Sequence, residues 1–309
     1  MLSFKEISLK SKNRIMPYLN QFGENSCQAC FAQMYLLKDK YRDMYDIKDK
    51  CLYIFRAGLS SPETKVYLFP MCEEDKLSDA INNVLCVADA EIAKPQFFTI
   101  TEGQADYLDT HFPGKFEIEE DRNCAEYIYT SEKLSTLSGK KLAAKRNHIN
   151  GFNRDFGDKK RVETFGLYGD GDTASLIDQV AHFQSSWLSS RQKAELFYQL
   201  EAEDRHIKNA LRHYEELDLH GVAIFIEDSL VGYSFGVPIS DSCIDVIAEK
   251  GDISIPGIYQ VINNEFAKSV KDHFEFVNRE EDLGIPGLRK AKESYYPDNL
   301  LKKYVATAI

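Results

Sequence analysis

The sequence lacks the marks of several large protein classes. No run approaches the ~18 apolar residues of a membrane-crossing helix, and the opening twenty residues, MLSFKEISLKSKNRIMPYLN, contain no apolar core of the type that directs secretion. Seven cysteines, an odd number scattered through 309 residues, form no disulfide framework, so a reducing cytoplasm is the expected location. Only Cys27 and Cys30 stand close together, and no second pair completes a zinc site; ordinary buried thiols are expected. The histidines are dispersed and no metal site is expected. A G-x-S-x-G elbow and a Walker loop are both missing, which removes the hydrolases and NTPases built on them. Gly166 to Asp172 is rich in glycine, but Asp170 and Asp172 would repel phosphate, so it reads as a capped turn. A net charge of −11 argues against indiscriminate nucleic-acid binding and against a polybasic membrane contact.

What is present is enough apolar sequence, 43% of the chain, to fill the cores of about two domains. Residues 26 to 45 are expected to be helical, and the first half then alternates strand, strand, helix, strand, helix, strand. The second half repeats that order. Its helix from Gly257 carries Ile258, Ile262, Phe266 and Val270 as an apolar spine, and a hairpin turns at Asp228-Ser229. The fold class is therefore α/β (α+β), with one module used twice. The expected division is 1–135, a basic linker helix over 136–160, and 161–309.

The linker is the one strongly basic stretch. Between Ser138 and Arg161, eight cations, Lys140, Lys141, Lys145, Arg146, Arg154, Lys159, Lys160 and Arg161, stand against only Asp155 and Asp158, a net +6 in a chain of −11. It reads either as a solvated interdomain helix or as a groove for phosphates. On the strand expected from Ser242 to Glu249, a period of two puts Cys243, Asp245, Ile247 and Glu249 on one face. Two carboxylates among apolar neighbours, Asp245 and Glu249, suit a general base; alternatively Glu249 is an inert residue at the strand's exposed end.

The last thirty-six residues combine both themes. An alternating strand begins at Phe274 and ends in Glu280, Glu281 and Asp282. A helix follows with Pro286 in its first turn, carrying Arg289, Lys292 and Tyr296 on one face and Leu288, Ala291 and Tyr295 on another. Carboxylates facing a helix with two cations make a candidate site, with Glu280 as a second possible base and Arg289 and Lys292 as phosphate ligands.

Two stretches carry a family resemblance. The first is Tyr127-Ile-Tyr-Thr with Leu137-Ser-Gly-Lys-Lys141 and Lys145-Arg-Asn-His-Ile-Asn-Gly-Phe152. The second runs from Asn278-Arg-Glu-Glu-Asp through Lys292 to Tyr295 and Pro297. Together they resemble the bacterial family related to the C-terminal domain of phosphatidylglycerol lysyltransferase. The resemblance implies two GNAT-like domains in tandem and a kinship to Fem-type enzymes, which move an amino acid from aminoacyl-tRNA onto an amine or hydroxyl. By resemblance Lys292 helps to hold the tRNA end or an acceptor phosphate. The expected site has Asp245 or Glu280 as the base, with Tyr295 also catalytic, and Arg146, Asn147, His148, Asn278, Arg279, Arg289 and Lys292 around substrate or phosphate. The expected donor is aminoacyl-tRNA, with tRNA as a partner and a small molecule or peptide as acceptor. Coenzyme A is the alternative donor, although the turn from Glu249 to Gly257 departs from the glycine-rich pattern of CoA-dependent relatives. A module that only binds a phosphate ligand is a further alternative. No counterpart of the lipid enzymes' transmembrane domain is seen, so a lipid acceptor is not implied.

Overall fold

In the computed structural model, which describes residues 2–90, 92–191 and 197–309, the described strands form two seven-stranded mixed sheets. The first runs Lys5–Glu6, Asp43–Lys48, Cys51–Arg56, Thr64–Tyr67, Lys94–Ile100, Tyr304–Ala308 and Phe116–Glu120 in spatial order. The second runs Lys160–Gly166, His220–Ile226, Ser229–Pro238, Cys243–Gly251, Phe276–Glu281, Glu126–Thr130 and Asn299–Leu301. The two orders match step for step. In each, the second to fourth strands are antiparallel neighbours. A crossover helix, Glu74–Ala90 or Ile258–Val270, then leads to a parallel fifth strand. The doubled α/β module expected from the sequence is present.

The sixth strand of each sheet comes from the other half of the sequence. Tyr304–Ala308 lies between Lys94–Ile100 and Phe116–Glu120, antiparallel to both. Glu126–Thr130 lies between Phe276–Glu281 and Asn299–Leu301. Accordingly, one compact unit comprises 1–127, 280–294 and 299–309, and the other 128–279 and 295–298. The expected cuts at 135 and 160 do not coincide with these units, because backbone pairing assigns the C-terminal strand to the first sheet.

Within the first unit, Ile81, Val84 and Ala88 bury one face of Glu74–Ala90, and Tyr53, Phe69, Phe97 and Leu108 share its core. Within the second, Ile258, Ile262, Phe266 and Val270 are all buried, as their i, i+4 spacing requires. Full burial of one such side chain contributes about 1.5–3 kcal/mol. Gly232 and Gly251 are paired where that helix crosses the sheet. A Cβ on Gly232 would lie 2.5 Å from Ile262 Cδ1 and 3.1 Å from Lys250 O, so the Ile262 side chain would have to shift to admit one.

Three local expectations are corrected. Residues 26 to 45 are not one helix: short turns at Cys27–Ala29, Phe31–Leu36 and Lys38–Tyr41 end at left-handed Arg42, and Asp43 begins a strand in register with Arg56. The linker helix is two pieces, Ser131–Thr136 and Ala143–Phe156, broken at Leu137 (φ 49°) and Gly139 (φ 86°). On Cys243–Gly251 the register passes from Phe235↔Ala248 to Gly236↔Val246 and skips Ile247. That bulge breaks the alternation, so Asp245 and Glu249 are not related by a simple period of two.

Candidate active site

The parallel pair in the second unit is joined at Cys243↔Phe276, Ile244↔Val277 and Asp245↔Asn278; both strands continue beyond that register. Asp245 and Asn278 are wholly buried at its end. An enclosed carboxylate touches no substrate in this conformation. The next residue, Arg279, reaches Glu249 instead, with Nη2 at 3.2 Å from both carboxylate oxygens. Asn263, on Ile258–Val270, approaches Glu249 Oε2 at 3.5 Å.

Two tyrosines pack around this pair. The Arg279 guanidinium lies 5.1 Å from the Tyr295 ring centre and 6.0 Å from that of Tyr129, and the two rings meet edge to face at 6.4 Å. Lys145, on Ala143–Phe156, places Nζ 4.1 Å from the Tyr295 ring centre. Burial, and then the neighbouring Arg279, push the Lys145 pKa below the ordinary lysine value. Burial pushes the Tyr295 hydroxyl up, so it stays protonated. These groups hold two cations and one carboxylate beside a phenol that keeps its proton and can donate it in a hydrogen bond. The arrangement can take an anionic group and offer a proton donor to an oxygen that gains charge.

The rest of the basic segment has mixed uses. Arg146 Nη1 donates to the carbonyls of Leu137 and Gly139 (2.7 Å to the latter), which ties down the turn before its helix. Asn147 and His148 are exposed on that helix. Lys141 lies 5.3 Å from the Tyr296 ring centre. Lys133 donates to Tyr296 O at 2.7 Å and to Asp298 at 2.5 Å, fixing the residues next to Tyr295.

Glu280, Arg289 and Lys292 belong to the first unit, where Arg289 is part of a cluster of its own. Its centre is Asp282, wholly buried, which accepts from Arg289 Nε at 2.8 Å, Arg289 Nη2 at 2.9 Å, Arg122 Nη1 at 3.1 Å and Tyr127 Oη at 2.6 Å. Burial works against that charge, and the bonds from Arg289 and Tyr127 overcome it, holding the carboxyl well below the usual range. Arg289 Nη2 also bonds Asn123 at 3.1 Å. Lys292 is buried and donates to Glu281 O at 2.5 Å. Glu280 accepts from Gln33. The helix Pro286–Glu293 stops before Tyr295, so the two tyrosines do not ride on its faces as expected.

Glu249, Lys145, Tyr129 and Asn263 join the cluster although their spacing in the chain does not assign them to it. Glu249 was marked in the sequence by its parity with Asp245, Lys145 by the charge of the basic segment and Tyr129 by the Tyr-Ile-Tyr alternation at 127–129; Asn263 carried no signal. Among the described residues, no group of three or more His, Cys, Asp or Glu is placed to hold a metal ion. Cys27 is buried and bonds Glu281 at 3.3 Å. No described helix is long and apolar enough to cross a membrane.

Comparison with known proteins locates this architecture. Residues 19–307 match the model of the family "phosphatidylglycerol lysyltransferase, C-terminal". A conserved protein of unknown function from Bacteroides thetaiotaomicron is 30% identical, covers all of both chains and superposes with a TM-score of 0.90. The structure of L-PGS from Bacillus licheniformis is 18% identical over 98% of this chain and 92% of that one, with a TM-score of 0.66, and shows a shared fold. An uncharacterised protein of Mycoplasmoides gallisepticum is 22% identical over 256 residues, 80% of this chain and 77% of its own.

Proposed function

The chain belongs to the phosphatidylglycerol lysyltransferase C-terminal family, and from that membership we propose that it is an aminoacyltransferase taking its amino acid from aminoacyl-tRNA. The acceptor is an amine or hydroxyl that attacks the activated carbonyl. The observation that carries the reading is the excess of positive charge around a protonated tyrosine: Lys145 and Arg279 against Glu249, beside Tyr295. Lys145 and Arg279 hold a phosphate near the acyl-bearing end of the donor, and the Tyr295 hydroxyl donates to the carbonyl oxygen as charge develops there. The exposed cations around Ala143–Phe156 supply the weaker contacts along the RNA backbone.

Coenzyme A is the less supported donor. Its pyrophosphate would need free amides before Ile258–Val270, where the Asp252 carboxylate already accepts from Ser254 N at 2.9 Å and Ile255 N donates to Asp252 O at 3.1 Å. A carboxylate in that turn also repels phosphate.

The test compares donors directly. The protein is incubated with mixed aminoacyl-tRNA or with acetyl-CoA, and release of the labelled acyl group to a cell-extract acceptor pool is measured. Transfer from aminoacyl-tRNA that falls steeply with salt is expected. Transfer from acetyl-CoA with none from aminoacyl-tRNA would overturn the proposal.

A further inference from the structure

One large aromatic side chain of the second unit is held in solvent by its own backbone. Tyr295 is buried, whereas the next residue, Tyr296, is 46% exposed at a left-handed φ of 53°. A bulky residue is strained there, and such strain persists only where the surroundings enforce it. Lys133 Nζ grips both Tyr296 O and Asp298. Asp298 Oδ2 in turn accepts from Thr130 N at 2.8 Å, and Asp298 N donates to Ile128 O at 2.9 Å. On the preceding side Tyr295 is seated against Arg279 and Tyr129. Between a packed ring and a pinned carbonyl, the turn directs the Tyr296 ring outwards.

That ring serves no internal bond. Among the described residues its hydroxyl makes no hydrogen bond, and its one ring contact is Lys141 Nζ, 5.3 Å from the ring centre. Lys140 and Lys141 are exposed and make no ion pair among the described residues. Their loop is tied down by Arg146, which donates to the carbonyls of Leu137 and Gly139 just before them. Asp298, two residues after the ring, is already neutralised by Lys133. An accessible π-face thus stands beside ammonium groups that the protein itself leaves uncompensated.

A lone exposed tyrosine is ordinary. A strained one beside uncompensated cations has the two elements that hold a single strand, a face on which a base stacks and charges for the phosphates next to it. A base inside a duplex has both faces covered, so only an unpaired base can use the ring. We propose, building on the RNA donor inferred for the neighbouring cluster, that Tyr296 is a stacking platform for an unpaired base at a single-stranded RNA end, with Lys140 and Lys141 on the flanking phosphates. Tyr295, the hydrogen-bond donor of that cluster, is the adjacent residue, so stacking anchors the strand beside the group that meets the acyl carbonyl.

Fluorescence anisotropy on the intact chain tests this with a labelled RNA minihelix carrying an unpaired 3′ overhang, the same stem ending blunt, and AMP as a competitor. The overhang should raise affinity at least about fivefold over the blunt stem, the lower end for stacking one base. Tyr296→Ala should erase that difference and leave the blunt stem's affinity unchanged, while Tyr296→Trp should keep it. Tyr296→Asn, which suits a left-handed backbone, should bind like the alanine variant with an unaltered melting curve. Lys141→Met should reduce the salt slope of overhang binding by about one. Equal affinity for the two stems in the wild-type protein, or an overhang preference that survives in folded Tyr296→Ala and Tyr296→Asn, overturns the stacking site; aminoacyl transfer that persists in those variants leaves the donor reading standing. A Tyr296-dependent preference without any transfer overturns the donor reading and supports the platform. AMP binding as tightly as the overhang stem assigns the ring to a free nucleotide and overturns the platform, and no binding of either stem overturns both.

Discussion

Replacing Lys145 by methionine removes one charge from the candidate site while keeping helix propensity and most of the side-chain length. In the free protein this ammonium is half-buried, 4.1 Å from the Tyr295 ring centre, and burial with Arg279 lowers its proton affinity. A bound phosphate reverses that balance, so binding should draw a proton onto Lys145. Affinity is then highest at pH below the lowered pKa and falls as pH rises through it. A charge-assisted contact of this kind contributes about 1.5–3 kcal/mol, or roughly tenfold to a hundredfold in affinity. Fluorescence anisotropy of a labelled tRNA acceptor-stem minihelix, measured from neutral pH towards the ordinary lysine range, reads both quantities. Wild-type affinity should weaken with pH; Lys145→Met should bind weaker by the stated factor and lose the slope; Lys145→Arg should keep binding and lose the slope. Because the folded protein disfavours the Lys145 charge, the methionine variant should melt no lower than wild type. A variant that binds and titrates like wild type, or one that unfolds early, refutes this role.

Three other outcomes follow from the same physical arguments. Lys303→Met and Glu126→Gln should each destabilise the first unit by about 3–5 kcal/mol, since each leaves a buried charge unpaired; in urea unfolding the double variant should cost less than the sum, and strict additivity would show the pair uncoupled. His220 is buried, accepts from Tyr168 N at 3.3 Å and bonds Ser269 Oγ at 2.9 Å through its other nitrogen, and burial followed by His273 lowers its pKa to about 4. The unfolded chain takes up that proton near pH 6.5, so stability should be full above that value and fall by up to roughly 3 kcal/mol as pH drops to about 4, a slope His220→Gln should flatten in melting curves. Gly257 sits at φ 82°, where an added Cβ would lie 2.7 Å from His148 O, so Gly257→Ala should cost more than about 1 kcal/mol and loosen Ala143–Phe156, visible as faster amide exchange there.

Several elements were legible in the chain because their causes are local, although the helices expected over 26–45 and over the basic segment are broken at Arg42, Leu137 and Gly139. The spine Ile258, Ile262, Phe266 and Val270 defines a helix face wherever the helix docks, and Asp172 caps Thr173–Ser189 through Ser175 N at 3.2 Å, as the turn residues suggested. The repeated order of strands and helices followed from those local patterns. What the sequence alone could not assign is which sheet receives which strand. Glu126–Thr130 and Tyr304–Ala308 form backbone bonds that carry no record of the partner, so their exchange between the two modules was decided by tertiary pairing. The site follows the same rule. Arg279 meets Glu249 across thirty residues, and the bulge at Ile247 separates Glu249 from Asp245 despite their matching parity. Asp282 gathers Arg122, Tyr127 and Arg289 in a cluster of its own. Local periodicity determines which face a side chain takes on its own element; only the packing of distant elements determines which charges it meets there.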